Sequence, residues 1–119
     1  MKSSVCIGQE TETIACHFLQ QQGLLFEAKN IRFRFGELDL IMRDGPTLVF
    51  VEVKYRSKSN YGSALESITR IKQQRLKRAA MAYRQQQNNY QDCDCRFDVV
   101  ALSGSITKPS IEWLKNIIF

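Results

Sequence analysis

Three residues stand out for the chemistry they could do together: Asp39, Glu52 and Lys54. Glu52 and Lys54 fall in the stretch Leu48-Val49-Phe50-Val51-Glu52-Val53-Lys54. In an extended strand, residues two apart point to the same face. The stretch is apolar on both faces before Glu52, as in a central strand buried from both sides. An unpaired charge there is heavily penalised. The charges must therefore pair with each other, with a third group or with a metal. Asp39, 13 residues before Glu52, supplies the third group if a hairpin brings it back alongside. Two adjacent carboxylates repel, which raises a pKa or recruits a cation. Hard oxygen ligands suit Mg²⁺ or Mn²⁺, with water completing the shell. A lysine beside that cation could hold a phosphate, orient or deprotonate an attacking water, and stabilise a pentacovalent transition state. The same residues would equally satisfy a buried ion pair, Glu52–Lys54 or Asp39–Lys54.

The flanking pattern supplies elements to position them. Residues from about Gly8 to Gln22 read as a helix, with Ile14, Phe18 and Leu19 at helical spacing and Gly23 to end it. Leu24 to Phe35 reads as extended, and Gly36 marks a turn or bulge. In Glu37 to Arg43, alternation puts Leu38, Leu40 and Met42 on one face and Glu37, Asp39 and Ile41 on the other. Asp44-Gly45-Pro46 is a tight turn into a strand from Thr47 to Tyr55. After a polar loop, Arg56 to Gly62, a long helix is expected from Ala64 or Glu66 to Gln86. Ile68, Ile71, Leu76, Ala79, Ala80 and Tyr83 form its apolar stripe, and Lys72, Arg75, Lys77, Arg78 and Arg84 lie around it. Arg96 to Leu102 is a further strand, and Ile111 to Leu114 a candidate last one. The order α-β-β-β-α-β implies an α/β fold: a mixed β-sheet flanked by helices.

The length of 119 residues suits one domain spanning 1–119, and an apolar share of 44% supports a real core. The net charge of +5 favours a polyanion partner, with a solvated basic surface as the plainer account. No base-reading motif is visible, so nucleic-acid binding would be backbone-directed. The sequence shows no signal peptide and no apolar run near the ~20 residues that span a bilayer, so no membrane role and a cytoplasmic location are expected. In a reducing compartment Cys6, Cys16, Cys93 and Cys95 read as free thiols; Cys93-x-Cys95 and Cys16 beside His17 make a zinc site conceivable, but no second Cys pair stands at finger spacing. His17, the sole histidine, reads as a surface or half-buried residue, which leaves no histidine-based triad.

Four ordered segments carry a family resemblance: Gly36-Glu37-Leu38-Asp39-Leu40-Ile41, Phe50-Val51-Glu52-Val53-Lys54-Tyr55-Arg56, Lys72-Gln73-Gln74-Arg75-Leu76 and Arg96-Phe97-Asp98-Val99-Val100. With Gly8, Glu12 and Ala15 in the opening helix, they cover most of the chain. The pattern resembles the PD-(D/E)xK nuclease superfamily and, more closely, the bacterial YraN/UPF0102 family, related to Holliday-junction resolvases. That resemblance implies a restriction-endonuclease-like core and a Mg²⁺-dependent, resolvase-like endonuclease hydrolysing phosphodiester bonds in DNA. A non-catalytic nucleic-acid-binding module on the same fold is the alternative. It implies Asp39, Glu52 and the Val53 backbone carbonyl as ligands of Mg²⁺ (or Mn²⁺), and Lys54 as the catalytic lysine. Glu12 corresponds to a helix acid that approaches the site in resolvase-like relatives, although Thr11 replaces a glycine common there. Lys72, Arg75 and Arg56 are candidate phosphate contacts. Relatives of this kind act as dimers, so a homodimer is implied as an option. Glu37 reads equally as a further ligand or an exposed strand end. Asp98 is expected to pair with Arg96 or Arg32 rather than to bind metal.

Overall fold

The computed structural model describes residues 4–56, 68–87 and 93–117, with side chains in the first helix from residue 10 onward. The element order is α1 (Ser4–Gln21), β1 (Leu25–Phe33), β2 (Gly36–Asp44), β3 (Thr47–Arg56), α2 (Arg70–Gln86), β4 (Cys95–Ser103) and β5 (Ser110–Leu114). The five strands form one mixed sheet in chain order, antiparallel except where β3 runs parallel to β4 across the α2 crossover. This is the expected α/β arrangement, compatible with a restriction-endonuclease-like core, and β5 is the short last strand.

The helices cover opposite faces. Ala15 and Leu19 of α1 pack with Leu40, Met42, Val49 and Val51. Leu76, Ala79, Ala80 and Tyr83 of α2 pack with Leu38, Ile41, Leu48 and Phe50. The termination of α1 follows from Gly23, whose φ of 98° suits a residue without Cβ. There the Gly23 N–H bonds the Gln20 carbonyl and the Leu24 N–H the Leu19 carbonyl, each at 3.0 Å. Leu19 and Leu24 then meet in the same core cluster.

Gly36 marks a turn as expected: the first hairpin turns at Arg34 and Phe35, and Gly36 closes it opposite Phe33. Gly36 is also needed for close approach: a Cβ there would lie 2.9 Å from the Arg75 carbonyl of α2. Two local expectations are corrected. The first concerns α2, which starts at Arg70, with Thr69 as its cap; the Thr69 hydroxyl accepts the Lys72 N–H at 3.1 Å. Ile68 is buried just ahead of the helix and Ile71 is 62% exposed, so neither extends the stripe as expected. Residues 57–67, which hold most of the expected loop and the expected helix start, lie outside the described residues. Finally, Leu38 packs on the α2 side while Leu40 packs on the α1 side, so strict alternation fails between them.

Candidate active site

That break in alternation places the site. Ladder pairing between β2 and β3 reaches Leu40–Val51 and goes no further toward Asp39. Beyond it, the Asp39 carboxylate takes over: Oδ2 accepts the Val53 backbone N–H at 3.0 Å. On the other side of Asp39, Asn30 of β1 stands opposite it, between the pairs Lys29–Leu40 and Ile31–Leu38, with φ of 54°. Left-handed backbone inside a strand costs energy for most residues and is best tolerated by glycine, asparagine and aspartate. Both neighbours of Asp39 are therefore irregular where the carboxylate sits.

Glu52 is 7% exposed, and two lysines converge on it. Lys54 Nζ lies 3.3 Å and Lys72 Nζ 2.5 Å from Glu52 Oε1. Lys72 reaches it because the Thr69 cap sets that residue in the first turn of α2, over the β3 face that carries Glu52 and Lys54. The lysine side chains remain 22% and 34% exposed, so the cluster opens to solvent on the lysine side.

The electrostatics follow from this crowding. Burial, then the neighbouring Glu52, push the Asp39 carboxyl up to about 7, against the Val53 N–H, which lowers it; Glu12 and Glu37 add to the rise. Burial and the adjacent Lys72 pull Lys54 below the usual lysine range, opposed by Glu52. Lys72 is held above its ordinary value: burial alone would lower it, but Glu52 and Lys54 outweigh burial. The two lysines are thus unequal, Lys72 keeping the proton more firmly.

Glu12 approaches from α1. Burial raises its carboxyl, a contact with the Asn30 side chain lowers it, and its charge is felt at Asp39. Its Oε2 is buried and has no hydrogen-bond partner among the described residues. Asp39, Glu52, Lys54 and Lys72 are thereby brought together, with Glu12 within electrostatic reach. Arg75, by contrast, lies a turn further along α2, beside Gly36. Arg56 ends β3, two residues beyond Lys54. Glu37 is an exposed strand end paired with Arg32 at 3.6 Å.

Asn30 was missed by sequence reasoning. The signal was present: an asparagine, a poor strand former, in the middle of the run Leu25-Phe26-Glu27-Ala28-Lys29-Asn30-Ile31. Asp98 pairs with Arg96, as expected. Fully buried, it accepts from Arg96 Nε at 3.1 Å, Trp113 Nε1 at 3.0 Å and the Asn116 N–H at 2.9 Å. Arg84, one of the candidate surface cations, donates to the Cys93 carbonyl at 3.0 Å. Cys16, Cys93 and Cys95 are free thiols, and His17 is exposed.

Among the described residues, no three histidine, cysteine or acidic side chains converge to cage an ion by themselves. Asp39 and Glu52 nevertheless fit a hard divalent cation, which binds through one or two carboxylates and keeps several waters. Burial first, and the neighbouring Glu52 charge second, raise the Asp39 carboxyl, and such a cation would offset both.

Comparison with known proteins places this chain in a family. The model described as "Uncharacterised protein family UPF0102" matches residues 11–102, a span that includes Glu12, Asp39, Glu52, Lys54, Lys72 and Asp98. The chain belongs to the UPF0102 family. A UPF0102 protein of Colwellia psychrerythraea is 48% identical over 115 residues, covering 96% of this chain and 89% of that protein. One from Klebsiella pneumoniae is 50% identical, covering 92% of this chain and 83% of its own. One from Yersinia enterocolitica is 47% identical, covering 92% and 91%. No helix among the described residues of this UPF0102 chain is long and apolar enough to cross a membrane.

Proposed function

We propose that this UPF0102 protein is a Mg²⁺- or Mn²⁺-dependent endonuclease of the PD-(D/E)xK type, resolvase-like, hydrolysing phosphodiester bonds in DNA in the cytoplasm. The observation that carries the reading is the junction of Asp39, Glu52 and Lys54 where β2 and β3 stop pairing, open on its lysine side. Asp39, Glu52 and the Val53 carbonyl would hold the ion. Bound there, it would polarise the phosphate and make water a better nucleophile.

The chain's own groups divide the remaining work. Lys54, with its proton affinity lowered, orients the attacking water and can take its proton. Lys72 keeps its charge and can hold a non-bridging phosphate oxygen. Arg75 and Arg56 lie further out along α2 and β3 and would hold flanking phosphates. Glu12, with one oxygen unpartnered among the described residues, would position water near Asp39. A homodimer would supply two such sites for symmetric cutting of two strands.

A second reading has its own support. Lys54 and Lys72 already neutralise Glu52, as a purely structural ion pair would. The protein would then be a nucleic-acid-binding module on the same fold. One experiment separates the two. Wild type and Glu52→Ala are incubated with single-stranded, duplex and four-way-junction DNA, with Mg²⁺, Mn²⁺ or EDTA. Metal-dependent products that disappear in Glu52→Ala support the enzyme. Identical products from both proteins would end that claim, and tight binding without cleavage would favour the module.

A further inference from the structure

The tip of the β1–β2 hairpin and the outer side of α2 enclose a cleft of about 600 Å³. Four arginines line it, Arg32 and Arg34 from the hairpin and Arg75 and Arg78 from the helix, against one acid, Glu37. Glu37 is engaged by Arg32. Neither Arg34 nor Arg75 has a side-chain ion pair or hydrogen bond to any described residue. Three guanidiniums beyond the Arg32–Glu37 pair therefore line one open cleft, a local excess of positive charge that attracts anions.

The walls are held in place. Gly36 brings the hairpin backbone against the Arg75 carbonyl, so the two sides of the cleft are packed at its base. Phe33 and Phe35 stack with ring centroids 5.6 Å apart and planes 4° from parallel. The Arg78 guanidinium lies over the Phe35 ring at 4.5 Å. The stack thus ends on an exposed, planar, charged group. Guanidinium planes and aromatic rings are the surfaces on which unpaired bases stack, while paired bases stay inside the duplex.

The cleft also has a direction. Lys72 touches Glu52, Arg75 lies one turn on and Arg78 nearly another. Six helical residues advance about 9 Å along the axis, so the cations are spread along one line. Glu37, in the cleft, is two residues from Asp39 in the same strand. A strand with one phosphate at the lysine pair would run directly into the arginine cleft.

We propose that this cleft is a binding subsite for a single nucleic-acid strand flanking the catalytic centre: Arg34, Arg75 and Arg78 hold its phosphates, and the Phe33–Phe35–Arg78 stack takes an unpaired base. The path from Lys72 rests on the nuclease reading; the cleft itself does not. Bare anions would use the charges but not the stack, so arginine should be better than lysine at these positions.

The test is fluorescence anisotropy of the full chain with a labelled 20-nucleotide oligothymidine and a duplex of equal length, in EDTA across a salt series. The proteins are wild type, Arg34→Ala/Arg78→Ala, Arg34→Lys/Arg78→Lys and Glu52→Ala, with circular dichroism melts to verify folding. The alanine pair should weaken single-strand binding about tenfold or more and lower the salt slope by about 1.4, the loss of two strand phosphates. The lysine pair should restore the slope but not the affinity, and duplex binding should change less. Unchanged single-strand affinity in the alanine pair, or full rescue by lysine, overturns the proposal. Because EDTA removes turnover, this result is independent of cleavage: the cleft can fail while Glu52→Ala still abolishes cutting, and it can hold in a protein that never cuts.

Discussion

Asp39 Oδ2 accepts the Val53 backbone N–H at 3.0 Å, so a side chain fills the place of a ladder acceptor where β2 and β3 separate. The bond anchors Asp39 in the seam of the sheet and within the field of Glu52, Glu12 and Glu37. Among the described residues, no cation forms an ion pair with this carboxyl.

The first prediction concerns that charge. Asp39 titrates at about 7 in the folded chain against 3.8 for the ordinary group. Between those values the folded protein keeps a proton that the unfolded chain has released, so stability falls as pH rises through that window. The cost is absent below about pH 4 and full above about pH 7. Asp39→Asn, which keeps the acceptor for Val53, should therefore melt higher than wild type at pH 8 without metal, by on the order of 2 kcal/mol. The gain should vanish near pH 4. Added Mg²⁺ should raise the melting temperature of wild type at pH 8 and leave Asp39→Asn unmoved. Equal melting of the two metal-free proteins at pH 8 would refute the account.

Glu52 behaves oppositely, since two lysines depend on it. Glu52→Gln should cost roughly 1–3 kcal/mol, less than a fully buried pair because both lysines retain some solvent. Adding Lys72→Met should recover much of that loss, read by urea denaturation. Cleavage should fall by about 10²-fold or more in both variants. Recovery of activity along with stability would reduce Glu52 to a structural role.

Asn30 should tolerate glycine but not a β-branched residue. At φ of 54°, Asn30→Gly keeps the backbone conformation, whereas Asn30→Val should lose about 1–2 kcal/mol. Both remove the side-chain contact to Glu12. If that contact matters to the site, the glycine variant will fold normally and cut more slowly; chemical denaturation and single-turnover cleavage read the two effects separately.

Asp98 is predicted to be a pure stability residue. Asp98→Ala removes the buried acceptor shared by Arg96, Trp113 and the Asn116 N–H, although Arg96 keeps Asp44 at 2.8 Å, and should cost about 3 kcal/mol. Single-strand DNA affinity per folded molecule should stay at the wild-type value. A selective loss of binding with normal stability would contradict the assignment.

Much of this protein was legible in its residues. The two-sided apolar run before Glu52 determined a central strand, and period-two spacing put Glu52 and Lys54 on one face, because those depend on local geometry alone. Asp44-Gly45-Pro46 determined the return that brings Asp39 near. Tertiary structure decided what local rules do not reach. Alternation put Leu38 and Leu40 together, yet loss of β2–β3 pairing at Asp39 sent them to opposite layers. Gly36 read as a turn and closes one, but its close approach to α2 was not legible, because the helix backbone it meets lies 39 residues away in the chain. The helical period counted Ile71 as core, but the Thr69 cap set the start of α2 and turned Ile71 outward while bringing Lys72 onto Glu52. Asp39, Glu52 and Lys54 could thus be picked out together from the sequence, while the ion pair of Lys72 with Glu52 and the contact of Asn30 with Glu12 were decided by long-range packing, which brings groups from separate elements together.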